Sequence, residues 1–180
     1  MVVVLLLPVL LLLLLLLISR AGFPLGAGTS GAKAFEAAEA VAAGAAEVDM
    51  VVSVGDLIAG NEAVVTADVA AVVAAANGRP VKVILETSLL TEAEKALGSR
   101  LAAAGGAAFV KTCTGFAPGC SGATAADVEL LARESGLPVK ASGGVRNAAK
   151  ARELLEAGAT RLGASAGVAI VTGESGASGY

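Results

Sequence analysis

Lys111 stands in the stretch FVKTCTGFAPG and Lys140 in PVKASGGVR, each at the end of a short apolar run and each followed closely by glycine. Only 16% of the chain is charged, so two amines placed where strands give way to loops are conspicuous. Burying an ammonium costs free energy, and two that face each other drive one toward the neutral form, which a nucleophilic amine needs. The pair therefore points to Schiff-base chemistry on a carbonyl substrate. Other chemistries find little support. There is no histidine, and the two cysteines, Cys113 and Cys120, share one loop-like stretch, so the spacing suggests neither a zinc site nor a disulfide framework. No metal and no cofactor are expected.

The elements that must position these lysines follow a repeating grammar from Gly22 onward. Alanine-rich helices stop at glycine and short apolar strands begin two or three residues later, as in AAGAAEVDMV, AGGAAFVKT and EAGATRLGAS, where Gly44, Gly106 and Gly158 suit a left-handed helix stop. Two more junctions, GRPVKV and GLPVKA, use proline. Strands are expected near Val48 to Val54, Val81 to Glu86, Ala108 to Thr112, Val139 to Ala141 and Arg161 to Gly163, with a sixth inside the leucine run at the N-terminus. Helices are expected at roughly 31–43, 62–76, 91–104, 124–135 and 147–157, with Asn61, Thr91, Thr124 and Asn147 as caps. Such alternation predicts an α/β fold with a parallel sheet, either a TIM barrel or an open doubly wound sheet.

The length of 180 residues, with 56% apolar positions, suits one core. A net charge of −3, aromatics at 3% and no basic cluster exclude the usual footprint of a nucleic-acid binder.

Taken together, GFPLGA, EVDMVVSVGDLIAGN, VKVILETSLLTEAEK, FVKTCTGFAPG, VKASGGVR and AGATRLGASAGVAIV resemble the deoxyribose-phosphate aldolases across nearly everything from Gly22 to Val171. The resemblance implies a TIM (β/α)8-type barrel and a class I lyase that cleaves 2-deoxy-D-ribose 5-phosphate into D-glyceraldehyde 3-phosphate and acetaldehyde, in deoxyribose-phosphate catabolism. It implies that Lys111 forms the Schiff base, that Lys140 lowers the pKa of Lys111, and that Asp49 relays protons. With Lys111 neutral, Lys140 and Asp49 would form one compensated buried pair. Phosphate would lie against two loops, Gly143, Gly144 and Val145 in one, Gly163, Ala164 and Ser165 in the other, with Ala166 to Val171 supplying a helix N-terminus. Thr112, Cys113 and Thr114 would line the mouth. Phe116 stands where some relatives place a phosphate-binding lysine. Tyr180 matches the terminal tyrosine that assists proton transfer in some members. Lys82 and Glu86, four apart on one strand, are read as a mutual pair outside the chemistry.

The chain departs from that pattern at its start. Five strands plus one from the leucine run make about six of eight βα units, so the barrel is expected to be incomplete at the N-terminus. Residues 1–20 form an apolar, leucine-rich segment of open status, 21–172 the barrel domain and 173–180 a flexible tail. The run from Val2 to Ile18 leaves membrane contact open, although a cytoplasmic protein is the easier reading. Expected partners are small phosphorylated sugars and aldehydes, and a homo-oligomer is allowed. A catalytically impaired or membrane-tethered fragment, or another sugar-phosphate enzyme on the same scaffold, remain as alternatives.

Overall fold

The computed structural model describes residues 18–117 and 120–172. Six strands alternate with helices: β1 (Ile18–Ala21), α1 (Ser30–Ala42), β2 (Glu47–Val51), α2 (Val54–Ile58), α3 (Glu62–Ala75), β3 (Val81–Ile84), α4 (Glu92–Ala104), β4 (Phe109–Lys111), α5 (Ala125–Ser135), β5 (Val139–Ser142), α6 (Ala148–Glu156), β6 (Ala159–Gly163) and α7 (Gly167–Thr172). All strand pairs are parallel and the spatial order is β1-β2-β3-β4-β5-β6, the order of the chain. A doubly wound sheet reverses direction partway, and this one never does. Right-handed crossovers in unbroken order place every helix on the same side.

The sheet is also strongly curled. Arg161 of β6 bonds both carboxylate oxygens of Glu47 in β2, at 2.6 and 2.7 Å. Those strands are four apart in the order and would lie about 19 Å from each other in a flat sheet, beyond the reach of the two side chains. The bridge therefore requires barrel curvature, and the architecture is six βα units of an incomplete barrel. Among the described residues β1 and β6 are its outer strands.

Alternation along the strands divides two environments. Val48 and Met50, Val83, Val110, Val139 and Ala141 face outward and pack with Val65, Val69 and Val72 of α3, Leu101 of α4, Val128 and Leu131 of α5 and Leu154 of α6. Facing inward are Glu47, Asp49, Lys82, Lys111 and Lys140. One face makes the core and the other carries the charge.

Helix starts follow the expected chemistry at three of the four anticipated caps. Thr91 forms a reciprocal capping box with Glu94, Thr124 accepts from the Asp127 N–H at 3.0 Å, and Asn147 accepts from the Lys150 N–H at 2.8 Å. Asn61 behaves differently, since its amide donates to Asp56 at 3.0 Å and leaves α3 without a side-chain cap. Gly44, Gly106 and Gly158 adopt φ of 98°, 86° and 102°, the left-handed conformation their helix stops demand.

Several boundaries depart from expectation, and β6 begins at Ala159, two residues before the expected Arg161. The strand expected from Val48 to Val54 runs from Glu47 to Val51, where Ser53 donates to Asp56 as the chain turns into α2. The strand through Val81 ends at Ile84, and Glu86 takes φ 59°. The sixth strand falls at the very end of the leucine run, where Ser19 and Arg20 are strand residues, so β1 straddles the boundary drawn at residue 20. The remainder of that run, and with it the membrane question, lies outside the described residues. No described helix is long and apolar enough to cross a membrane.

Candidate active site

Asp49 is the centre of the inward face. Its Oδ2 accepts from Lys111 Nζ at 2.9 Å and from Lys140 Nζ at 2.8 Å, so two lysines from neighbouring strands converge on one oxygen. The register makes this possible, because Lys111 and Lys140 are directly paired across β4 and β5. Its Oδ1 lies 3.1 Å from Lys82 Nζ. Lys82 also touches Glu47, and it meets both carboxylates as a point charge without an aligned hydrogen bond to either. Beneath them, Lys82 and Arg161 stand over the Phe109 ring, 5.9 and 4.6 Å from its centroid.

Accessibility separates these amines. Lys82 is fully buried, whereas the side chains of Lys111 and Lys140 are 12% and 11% exposed, so only the latter two can meet a ligand entering the barrel. Electrostatics separates them further. Burial raises the Asp49 carboxyl, but the adjacent Lys111 charge and the hydrogen bonds from Lys140 and Lys111 outweigh it and hold the group at about 2. Burial pushes the Lys140 amine down from its ordinary value, the Lys111 charge adds to this, and Asp49 only partly offsets it. For Glu47, burial acts upward, and Arg161 and Lys82 pull it below the usual carboxylate value.

The sequence alone suggested one compensated pair of Lys140 and Asp49. Lys82 changes that balance, as do Glu47 and Arg161. Four cationic side chains, Lys82, Lys111, Lys140 and Arg161, share two carboxylates, Asp49 and Glu47, so the cleft keeps an excess of positive charge that suits an anionic ligand. The expected Lys82–Glu86 pair does not form. Lys82 turns inward to β2, while the Glu86 carboxylate accepts the Thr114 N–H and braces the loop after β4. A clue lay in the two-residue spacing of Glu47 and Asp49 and in Lys82 alternating with Val81 and Val83, but the partners across strands could not be read from one strand.

The loop residues divide in the same way. Thr112 is buried, and its hydroxyl donates to the Ser142 carbonyl at 2.9 Å while accepting the Ser142 N–H at 3.0 Å, so it pins β4 to β5 instead of lining the mouth. Cys113 is buried too. Its Sγ donates to the Ser142 carbonyl at 2.8 Å, and burial foremost, with Cys120 adding to it, pushes the thiol up to about 12. Thr114 is the partly exposed member of the three.

Gly143 and Gly144 have φ of 91° and 69°, and a Cβ on Gly143 would lie 2.5 Å from Cys113 Sγ. Loop packing therefore accounts for Gly143 before any ligand does. Val145 turns its side chain into the core. A Cβ on Gly163 would lie 2.7 Å from Ser142 Cβ, so packing against β5 accounts for this glycine, and Lys140 Cε would be in ordinary contact at 3.5 Å. Ser165 is exposed, and the helix after it is the six-residue α7. Phe116 is 63% exposed and meets Phe23 edge to face at 5.5 Å. Tyr180 lies outside the described residues.

Comparison with known proteins gives a consistent family. The model of the DeoC/LacD family aldolases matches residues 23–173. The deoxyribose-phosphate aldolase of Streptococcus sanguinis is 55% identical over 161 residues, covering 88% of this chain and 72% of that protein. Deoxyribose-phosphate aldolase 1 of Oceanobacillus iheyensis is 53% identical over 162 residues, with the same coverage of 88% and 72%. Among solved structures, the tetrameric deoxyribose phosphate aldolase of Aeropyrum pernix superposes with a TM-score of 0.77 at 34% identity, covering 86% of this chain and 66% of that one.

Proposed function

The chain belongs to the DeoC/LacD family of aldolases, and we propose that it carries out the reaction named by its relatives, cleaving 2-deoxy-D-ribose 5-phosphate to D-glyceraldehyde 3-phosphate and acetaldehyde through a lysine Schiff base. The observation that supports this best is the convergence of Lys111 and Lys140 on one oxygen of Asp49. One carboxylate oxygen does not compensate two ammonium groups, and with burial the Lys111 charge pushes the Lys140 amine down from its ordinary value.

In this reading Lys111 attacks the aldehyde carbon of the open-chain sugar. Loss of water gives an iminium, whose positive nitrogen accepts the electron pair of the C2–C3 bond as the C3 hydroxyl loses its proton. Glyceraldehyde 3-phosphate leaves, the resulting enamine is protonated at C2, and hydrolysis of the iminium releases acetaldehyde and restores Lys111. A carboxyl held at about 2 is a weak base, so Asp49 acts mainly as the anchor that orients both amines. Lys140, with its amine pushed down by burial and by the Lys111 charge, gives up a proton more readily than an ordinary lysine and passes it through water where direct reach fails. The substrate phosphate is assigned to the backbone of the Gly143–Val145 and Gly163–Ser165 loops, which follow β5 and β6 at the end of the sheet where Lys140 opens.

Incubation with acetaldehyde and borohydride, followed by peptide mapping, tests this directly. An ethyl group fixed on Lys111 is expected. If the Streptococcus sanguinis relative is labelled under the same conditions and this chain is not, the assignment fails.

A further inference from the structure

Lys82 is one of the largest fully buried side chains in the molecule, and the reaction described above does not use it. A lone lysine in that position would be expensive to bury, and it is retained between two carboxylates of one strand. Asp49 projects one oxygen toward Lys111 and Lys140 and the other toward Lys82. Without Lys82, nothing described holds Oδ1, and the carboxylate could rotate about its last bond. Glu47 keeps Lys82 in place and is itself fixed by Arg161 from the far side of the barrel.

We propose that Lys82 is a positioning residue for the aldol reaction: it locks the Asp49 carboxylate so that Oδ2 faces the two reactive amines, and the Glu47–Arg161 bridge sets how strongly it does so. The proposal rests on the Schiff-base reading for its functional meaning, but the arrangement itself can be read without substrate. Lys82 adds a positive charge behind Asp49 and so weakens the hold of that carboxylate on the protons of Lys111 and Lys140. Removing Lys82 takes away that competing charge and leaves both Asp49 oxygens to the two amines, so the hold strengthens. Removing the charge of Glu47 frees Lys82 to act on Asp49 alone and weakens it. The charged groups around Lys82 are Glu47 and Asp49 on β2, Lys111 on β4, Lys140 on β5 and Arg161 on β6. Arg20 of β1 pairs in register with Asp49, its guanidinium lying over the Phe23 ring.

The test uses the full chain and a small amine-reactive reagent such as acetic anhydride, with the extent of acetylation of Lys111 and Lys140 followed against pH by peptide mass spectrometry. In Lys82→Met the pH of half-maximal reactivity is expected to move up by roughly one unit. In Glu47→Gln it is expected to move down. A general loosening of the barrel would move both variants the same way, toward ordinary lysine behaviour, and so would overturn the proposal, as would superimposable profiles. Should Lys82→Met fail to fold, the sign of the Glu47→Gln shift decides alone, since a downward move supports the proposal and an unchanged or upward one removes it. Acetaldehyde trapping on the wild type is scored separately. Its failure would sink the Schiff-base reading while leaving the acetylation result to decide the place of Lys82.

Discussion

Lys140 and Asp49 form the pair on which pH should act most visibly. Replacing Lys140 with leucine removes the cation that competes with Lys111 for Asp49 Oδ2, so Lys111 holds its proton more tightly and borohydride trapping should require higher pH. An unchanged trapping profile would remove Lys140 from the mechanism. Asp49 affects stability at the acid end. Its carboxyl is held at about 2, below the ordinary 3.8, so the stabilisation it brings is complete above the unfolded value and is lost as pH falls through about 2. That contribution is on the order of 2 kcal/mol. Acid unfolding followed by circular dichroism should therefore lose its steepest limb in Asp49→Asn, a variant also less stable at neutrality because it takes from Lys111 and Lys140 the carboxylate they share. Lys111 and Lys140 stood out in the sequence as amines at strand ends and Asp49 entered through the family resemblance, and the structure brings the three side chains together. The roles of Lys82, Glu47 and Arg161 were not legible there, since they depend on which strands lie opposite, and a strand states only which face a residue occupies.

Elements fix the site through their ends. Loops after β4 and β5 are laced together by Thr112, Cys113 and Ser142, and Gly143 fits against Cys113 with no room for a side chain. Gly143→Ala should lower both the melting temperature and the turnover number, because the added carbon meets sulfur and the backbone stays at φ 91°. Thr91→Ala offers the contrast. It deletes one half of the capping box of α4, costs about 1 kcal/mol and lowers the melting temperature by roughly 2–4 °C. α4 packs on the outer face, away from Asp49, and turnover at 25 °C should stay at the wild-type value. Differential scanning calorimetry beside steady-state kinetics separates the two cases. Helices with glycine stops and Thr or Asn caps could be read in advance since their signals are local. α2 could not, because its apolar residues continue the strand pattern of VVSV, while the turn is marked by the Ser53–Asp56 side-chain bond and the Leu57 N–H to Ser53 carbonyl bond.

At the scale of the whole molecule, unbroken strand order and the curl that brings β6 to β2 identify a barrel of which the described residues supply six units. βα alternation alone left an open sheet in contention, and the discriminating fact, a side-chain bridge between distant strands, depends on curvature that no local segment encodes. That bridge also has a consequence for the order of events during folding. Each strand pairs with the next one in the chain, so successive βα units can assemble with short loops and little closure entropy. Arg161 and Glu47 are 114 residues apart and can meet only when both flanks of the sheet exist. Arg161→Leu should thus leave the refolding rate within about twofold of wild type while accelerating unfolding, as measured by stopped-flow chevrons. A refolding rate that falls in step with stability would instead place the bridge in the folding nucleus. The curl would then be among the first features the chain acquires, where the topology makes it one of the last.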